Sequence, residues 1–138
     1  MRGDSVRLEP SVEHNRVSGL VVDSAIAVHR KLGPGLLESV YERCLDIELA
    51  KRELKVARQI ALPIHYDGQR IDAALRIDLL VDDKVIVEFK AVEQLLPIHE
   101  AQLLTYLRLS GRHLGLLINF NVPQLRHGLK RLVNSPLQ

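Results

Sequence analysis

Apolar residues recur three and four apart at Val17, Leu20, Val21, Ala25, Val28 and Leu32, which predicts an amphipathic helix over about 15–32. Gly33-Pro34-Gly35 stops it and opens a second helix over about 36–53, with Leu37, Val40, Tyr41, Cys44, Leu45, Ile47 and Leu49 as its apolar positions. The period then falls to two. Ile60, Leu62 and Ile64 share one side of a strand from Val56 to His65, and Tyr66-Asp67-Gly68-Gln69 carries an Asp-Gly turn signal. A second strand follows from Arg70 to Val81 and a third from Lys84 to Ala91. Pro97 opens a helix over about 98–110 on Ile98, Leu103, Leu104 and Leu107, with Gly111 as its stop. His113 to Phe120 reads as a buried strand, and a final short helix is expected over about 123–133. The order α-α-β-β-β-α-β-α predicts an α/β (α+β) fold: a mixed sheet flanked by helices, with a right-handed crossover near the end.

Composition narrows the picture. At 138 residues, 46% of them hydrophobic, the chain is expected to form a single domain over 15–134 with a disordered stretch over 1–14. No apolar run reaches the length of a membrane span, and Glu9, Glu13 and His14 interrupt any secretory signal. Cys44 is the single cysteine, which excludes an internal disulfide and a Cys-rich zinc site, so cytoplasmic residence is expected. A net charge of +2 is compatible with nucleic acid without arguing for it. The six histidines lack metal-ligand spacing, and the short basic clusters around Arg30 and Arg126 read first as solvated helix faces.

Candidate chemistry sits in the second hairpin. With Asp82-Asp83-Lys84 as a three-residue loop, Val81 faces Val85, Leu79 faces Val87 and Ile77 faces Phe89. The same register sets Asp78 against Glu88 and Arg76 against Lys90. Two facing carboxylates repel, and a divalent cation is the simplest agent to offset that. Glu88 and Lys90, two apart, project from one face of one strand. A hard cation such as Mg2+ takes oxygen ligands, so Asp78, Glu88 and the Phe89 carbonyl form a candidate set, with Lys90 beside it to orient water or neutralise charge on a phosphate. The competing reading is a solvated charge cluster on an exposed sheet face. Ala74, Leu80 and Ile86 on that face weigh against it.

Asp78, then nine residues, then Glu88-Phe89-Lys90 resembles the PD-(D/E)xK signature of the restriction-endonuclease-like nucleases. Gly35-Leu36-Leu37-Glu38-Ser39-Val40-Tyr41 resembles the motif of the GxxExxY proteins within that superfamily. The likeness spans about 16–134 and includes Gly33-Pro34-Gly35, the strand Arg76 to Val81 and Leu117-Ile118-Asn119-Phe120. It implies a restriction-endonuclease-like core α-β-β-β-α-β preceded by an extra helix. It also implies Asp78 and Glu88 as metal ligands, Lys90 as the water-orienting residue, and Glu38 as a further ligand, direct or through water. Apart from the family, Glu38 reads as an acid favourable to a helix N-terminus. Gln102 and Tyr106, four apart on one helix face, resemble the QxxxY pattern of the RecB-like branch. They become candidate substrate contacts together with Arg76, and Gln102 also a candidate catalytic residue, although packing explains both equally well.

The function expected is a Mg2+- or Mn2+-dependent phosphodiesterase acting on DNA, or on RNA, through an activated water. Nucleic acid is then the expected partner, no membrane is expected, and a homo-oligomer is plausible by analogy alone. The alternative is a non-catalytic nucleic-acid-binding or self-assembling module of the same fold. Three Tyr, two Phe and no Trp disfavour base stacking on single strands in that case.

Overall fold

The computed structural model describes residues 10–134, with every side chain but those of residues 73 and 74. The stretch expected to be disordered therefore lies largely outside the described residues. Helix α1 spans Val12–Leu32 and starts three residues earlier than its apolar spacing indicates, because the Ser11 side chain accepts from the His14 N–H and caps the first turn. Helix α2 spans Glu38–Lys51 and α3 spans Pro97–Ser110. Strands β1 (Val56–Tyr66), β2 (Gln69–Val81), β3 (Val85–Lys90), β4 (Leu114–Asn119) and β5 (Leu129–Val133) form one sheet in the order β1-β2-β3-β4-β5. β3 and β4 run parallel and the other neighbours antiparallel, so the sheet is mixed. No helix among the described residues is long and apolar enough to cross a membrane.

Both hairpin turns follow from their residues. Asp67 and Gly68 both take positive φ, as do Asp82 and Asp83, the pattern of I′ turns whose twist matches that of paired strands. The tail departs from expectation. The helix predicted over 123–133 is a 3-10 turn at Leu125–Gly128 followed by β5. β4 is buried along its whole length, and its free edge is satisfied by pairing with 129–133 rather than by a helix.

Two apolar layers sandwich the sheet. Val17, Val21, Ala25 and Val28 of α1 and Tyr41, Leu45 and Leu49 of α2 pack on Leu79, Val81, Val85, Val87, Phe89, Leu116 and Ile118. On the other face, Leu103 and Leu107 of α3 pack on Ile77, Ile86 and Leu117. Leu37, Val40 and Ile47, expected on the apolar side of α2, are exposed. Ile77 is a second correction. Its alternation with Leu79 and Val81 predicts one common face, yet it lies in the opposite layer, and so does Ile60 relative to Val56. The pleat inverts between Arg58 and Ile60 on β1 and between Leu79 and Ile77 on β2, and the candidate acid Asp78 stands at that inversion.

Candidate metal and phosphodiester site

β3 runs through the centre of the sheet with both faces covered, so its polar residues need local partners. The β2–β3 pairing matches expectation from Val81↔Val85 through Leu79↔Val87 and stops there. Beyond it the side chains take over from the ladder. The Phe89 N–H donates to Asp78 Oδ2 at 2.9 Å, and the Asp78 N–H donates to Glu88 Oε1 at 3.1 Å. The predicted pairs Ile77–Phe89 and Arg76–Lys90 are not made. Ile77 and Phe89 belong to opposite layers, Lys90 pairs with Asn119 of β4, and Arg76 pairs with Ala61 of β1 and is exposed.

Asp78 and Glu88 are thus brought together, as the register argument expects, but interlocked through each other's strand rather than merely facing. Among the described residues neither forms an ion pair. Burial pushes the Glu88 carboxyl up to about 8, and the adjacent Asp78 charge adds to that. Burial also raises Asp78, with Glu42 and Glu38 pushing the same way against the Phe89 N–H bond. Lys90 lies near enough to lower Glu88 electrostatically.

The end of β3 is clamped from two sides. Glu38 Oε2 accepts from the Ala91 N–H at 3.0 Å. Asn119, buried, takes the Val92 N–H at 3.1 Å and returns an N–H to the Val92 carbonyl at 2.9 Å. Glu38 thereby reaches the segment next to Lys90. No three His, Cys, Asp or Glu side chains converge as a metal cage among the described residues, so the expected third acid is not gathered with Asp78 and Glu88. The two interlocked acids still fit a hard cation in donor chemistry: buried oxygens with no basic side chain bonded to them. The Phe89 main chain enters through its N–H, which orients Asp78.

Tyr106 and Gln102 share the wall of a cavity of about 180 Å³ with Leu75, Ile98, Ala101 and Thr105. Burial raises the Tyr106 phenol, and the Glu88 and Asp78 carboxylates raise it further. Tyr106 is thus within electrostatic reach of the acids, and Gln102 is exposed. A larger cavity of about 500 Å³ lies at the turn end of the β2–β3 hairpin, around Lys55, Leu80 and Lys84, away from these groups.

Two further residues belong to this neighbourhood. Glu42, only 7% exposed, accepts from Arg58 Nε at 3.2 Å and from Gln59 Nε2 at 2.8 Å. Gln59 Nε2 also makes a long contact of 3.5 Å to Asp78 Oδ1. Glu42 was discoverable from sequence, since it lies one turn after Glu38 on the same helix face. Gln59 carries no sequence signal.

The model of the PD-(D/E)XK nuclease superfamily matches residues 15–132. No curated protein matches the chain. Among solved proteins, the crystal structure of SSO0001 is similar with a TM-score of 0.53 and 19% identity, over 89% of this chain and 62% of that one. That likeness is one of fold, and this chain spans 62% of the length of SSO0001. The family match over residues 15–132 of this sheet, which brings Asp78 of β2 and Glu88 of β3 together, places the chain in the PD-(D/E)XK nuclease superfamily.

Proposed function

We propose that the chain is a divalent-metal-dependent phosphodiesterase that hydrolyses DNA, with RNA as the second substrate class. The observation that carries this reading is the interlocked, partly buried Asp78–Glu88 pair, which among the described residues has no basic ion-pair partner. Two such groups stay ionised together only with a positive counter-charge, and Mg2+ or Mn2+ supplies one. Asp78 and Glu88 would hold the ion, with the Phe89 carbonyl as a further oxygen and Glu38, whose Oε2 meets the Ala91 N–H, reaching it through water. When bound, such an ion supplies Lewis acidity to the phosphodiester.

The remaining steps belong to the chain. Lys90 places an ammonium beside the acids, where it orients the attacking water and offsets charge on the phosphorane. Water adds to phosphorus and gives up a proton to solvent, the ester P–O bond breaks, and the departing oxygen takes a proton from solvent. Gln102 and Tyr106 flank the substrate from α3, and Arg76 offers a phosphate contact. Gly35, Glu38 and Tyr41 support finer membership among the GxxExxY proteins.

A non-catalytic, nucleic-acid-binding or self-assembling module is the second reading, favoured by the lack of a three-acid cage among the described residues. Incubation with plasmid, linear and single-stranded DNA and with RNA, each with Mg2+ or Mn2+, separates the two. Cleavage by the wild type that disappears in Glu88→Gln and Lys90→Ala supports the enzyme. Cleavage that survives both substitutions marks a contaminant, and binding without cleavage supports the module.

A further inference from the structure

We infer that Gln59 is a positioning residue for Asp78, acting from the neighbouring strand through a donor bridge anchored on Glu42. Consecutive residues of a strand point to opposite faces. Arg58 and Gln59 break that rule, since Arg58 Nε and Gln59 Nε2 both reach the Glu42 carboxylate. The break is made at Gln59, whose φ of 50° lies in the left-handed region. There β1 and β2 lose a ladder step: Arg58↔Leu79 and Ile60↔Ile77 are paired, and Gln59 and Asp78 between them are not.

A glutamine is a costly choice for such backbone, which glycine or asparagine adopts more readily. The amide supplies what glycine lacks. Its partners, Glu42 Oε1 at 2.8 Å and Asp78 Oδ1 at 3.5 Å, are carboxylate oxygens that only accept, so the amide nitrogen must donate to both. One hydrogen serves each acid. Asp78 is then held at Oδ2 by the Phe89 N–H at 2.9 Å and approached at Oδ1 by the Gln59 amide at 3.5 Å, the outer limit of a hydrogen bond. Arg58 fixes Glu42 from its other oxygen, so the bridge has a rigid base. Without the amide, the Glu42 and Asp78 carboxylates confront each other with no donor between them.

The consequence for metal binding rests on the nuclease reading, while the consequence for the Asp78 rotamer does not. Gln59→Gly tests both, because glycine keeps the left-handed backbone while removing the amide together with its two methylenes. Gln59→Asn, which also tolerates that backbone but is one methylene shorter, repeats the test should the glycine variant fold poorly. In the metal-free protein we expect the Phe89 amide to exchange with solvent faster in either folded variant, as Asp78 leaves it. Calorimetric Mn2+ titration is expected to show affinity lowered by about 10–100-fold, the usual loss when a ligand's hydrogen-bond support is removed. Unchanged Phe89 exchange in the folded variants overturns the inference, whatever the metal affinity. Wild-type protein that binds no Mn2+, with Phe89 exchange still accelerated in the variants, overturns the nuclease reading and leaves the positioning role standing.

Discussion

The Tyr41 ring lies flat on Phe120, with centroids 4.4 Å apart and planes 5° from parallel. Its hydroxyl donates to the Gly33 carbonyl and accepts from the Leu36 N–H. One side chain thus joins the core to the Gly33-Pro34-Gly35 loop, whose two glycines take positive φ. That loop sets where α2 begins, and hence where Glu38 meets the Ala91 N–H. The spacing of Gly35, Glu38 and Tyr41 has a mechanical sense: a turn, a clamp on the end of β3, and the anchor for both.

Tyr41→Phe keeps the stack and loses both hydroxyl bonds. We expect a loss of about 1–2 kcal/mol in urea unfolding, since each buried hydrogen bond contributes about 0.5–1.5 kcal/mol. An unfolding midpoint equal to that of the wild type would show that the hydroxyl does not hold the loop.

The pH dependence of stability has a definite sign. Glu88 rises from 4.5 to about 8 on folding, so the folded chain binds the proton more tightly than the unfolded one. This contribution is complete below pH 4.5 and is lost as pH rises through about 8. Glu88→Gln mimics the protonated acid and removes that loss. Its Tm relative to wild type, both metal-free, should climb from about pH 4.5 to about 8, where the folded chain keeps the proton that the unfolded chain has released, and level off above that. A constant difference across that span would contradict the assignment to Glu88.

The proposed cation site needs the ionised pair. Below about pH 8 the protonated Glu88 must release its proton when Mn2+ enters. Titration at pH 7 in two buffers of different ionisation enthalpy should give different apparent heats. Identical heats in both buffers would mean that Glu88 is not displaced from its protonated state, and hence is not a ligand.

Gly128 approaches the end of β4 closely: a Cβ there would lie 2.1 Å from the Asn119 carbonyl oxygen. Backbone cannot yield as a flexible side chain does, so Gly128→Ala should cost about 1–3 kcal/mol, as overpacking generally does. Gly115→Ala should cost less, because its nearest atoms, at 3.0 Å and beyond, belong to the Leu103 side chain. Equal unfolding free energies for the two variants would refute that ranking.

Local patterning alone was enough to define α1, α2, α3, both hairpin turns and the strand pairing from Val81↔Val85 to Leu79↔Val87. Each depends on periodicity, a capping or turn residue, or a short loop, and these act within a few residues. It also singled out Asp78, Glu88 and Lys90, because charges amid a strand's apolar run are visible without a fold. Three matters were decided only in three dimensions. Residues 129–133 became a strand because β4 had an open edge to satisfy, a demand made by a distant element. Ile77 changed layer because left-handed backbone at Gln59 inverts the pleat on both strands, and nothing in a glutamine codon announces positive φ. Gln59 joined the acid pair because α2 packs over the β1–β2 step and sets Glu42 against it, a contact that nothing in the β1 pattern announces.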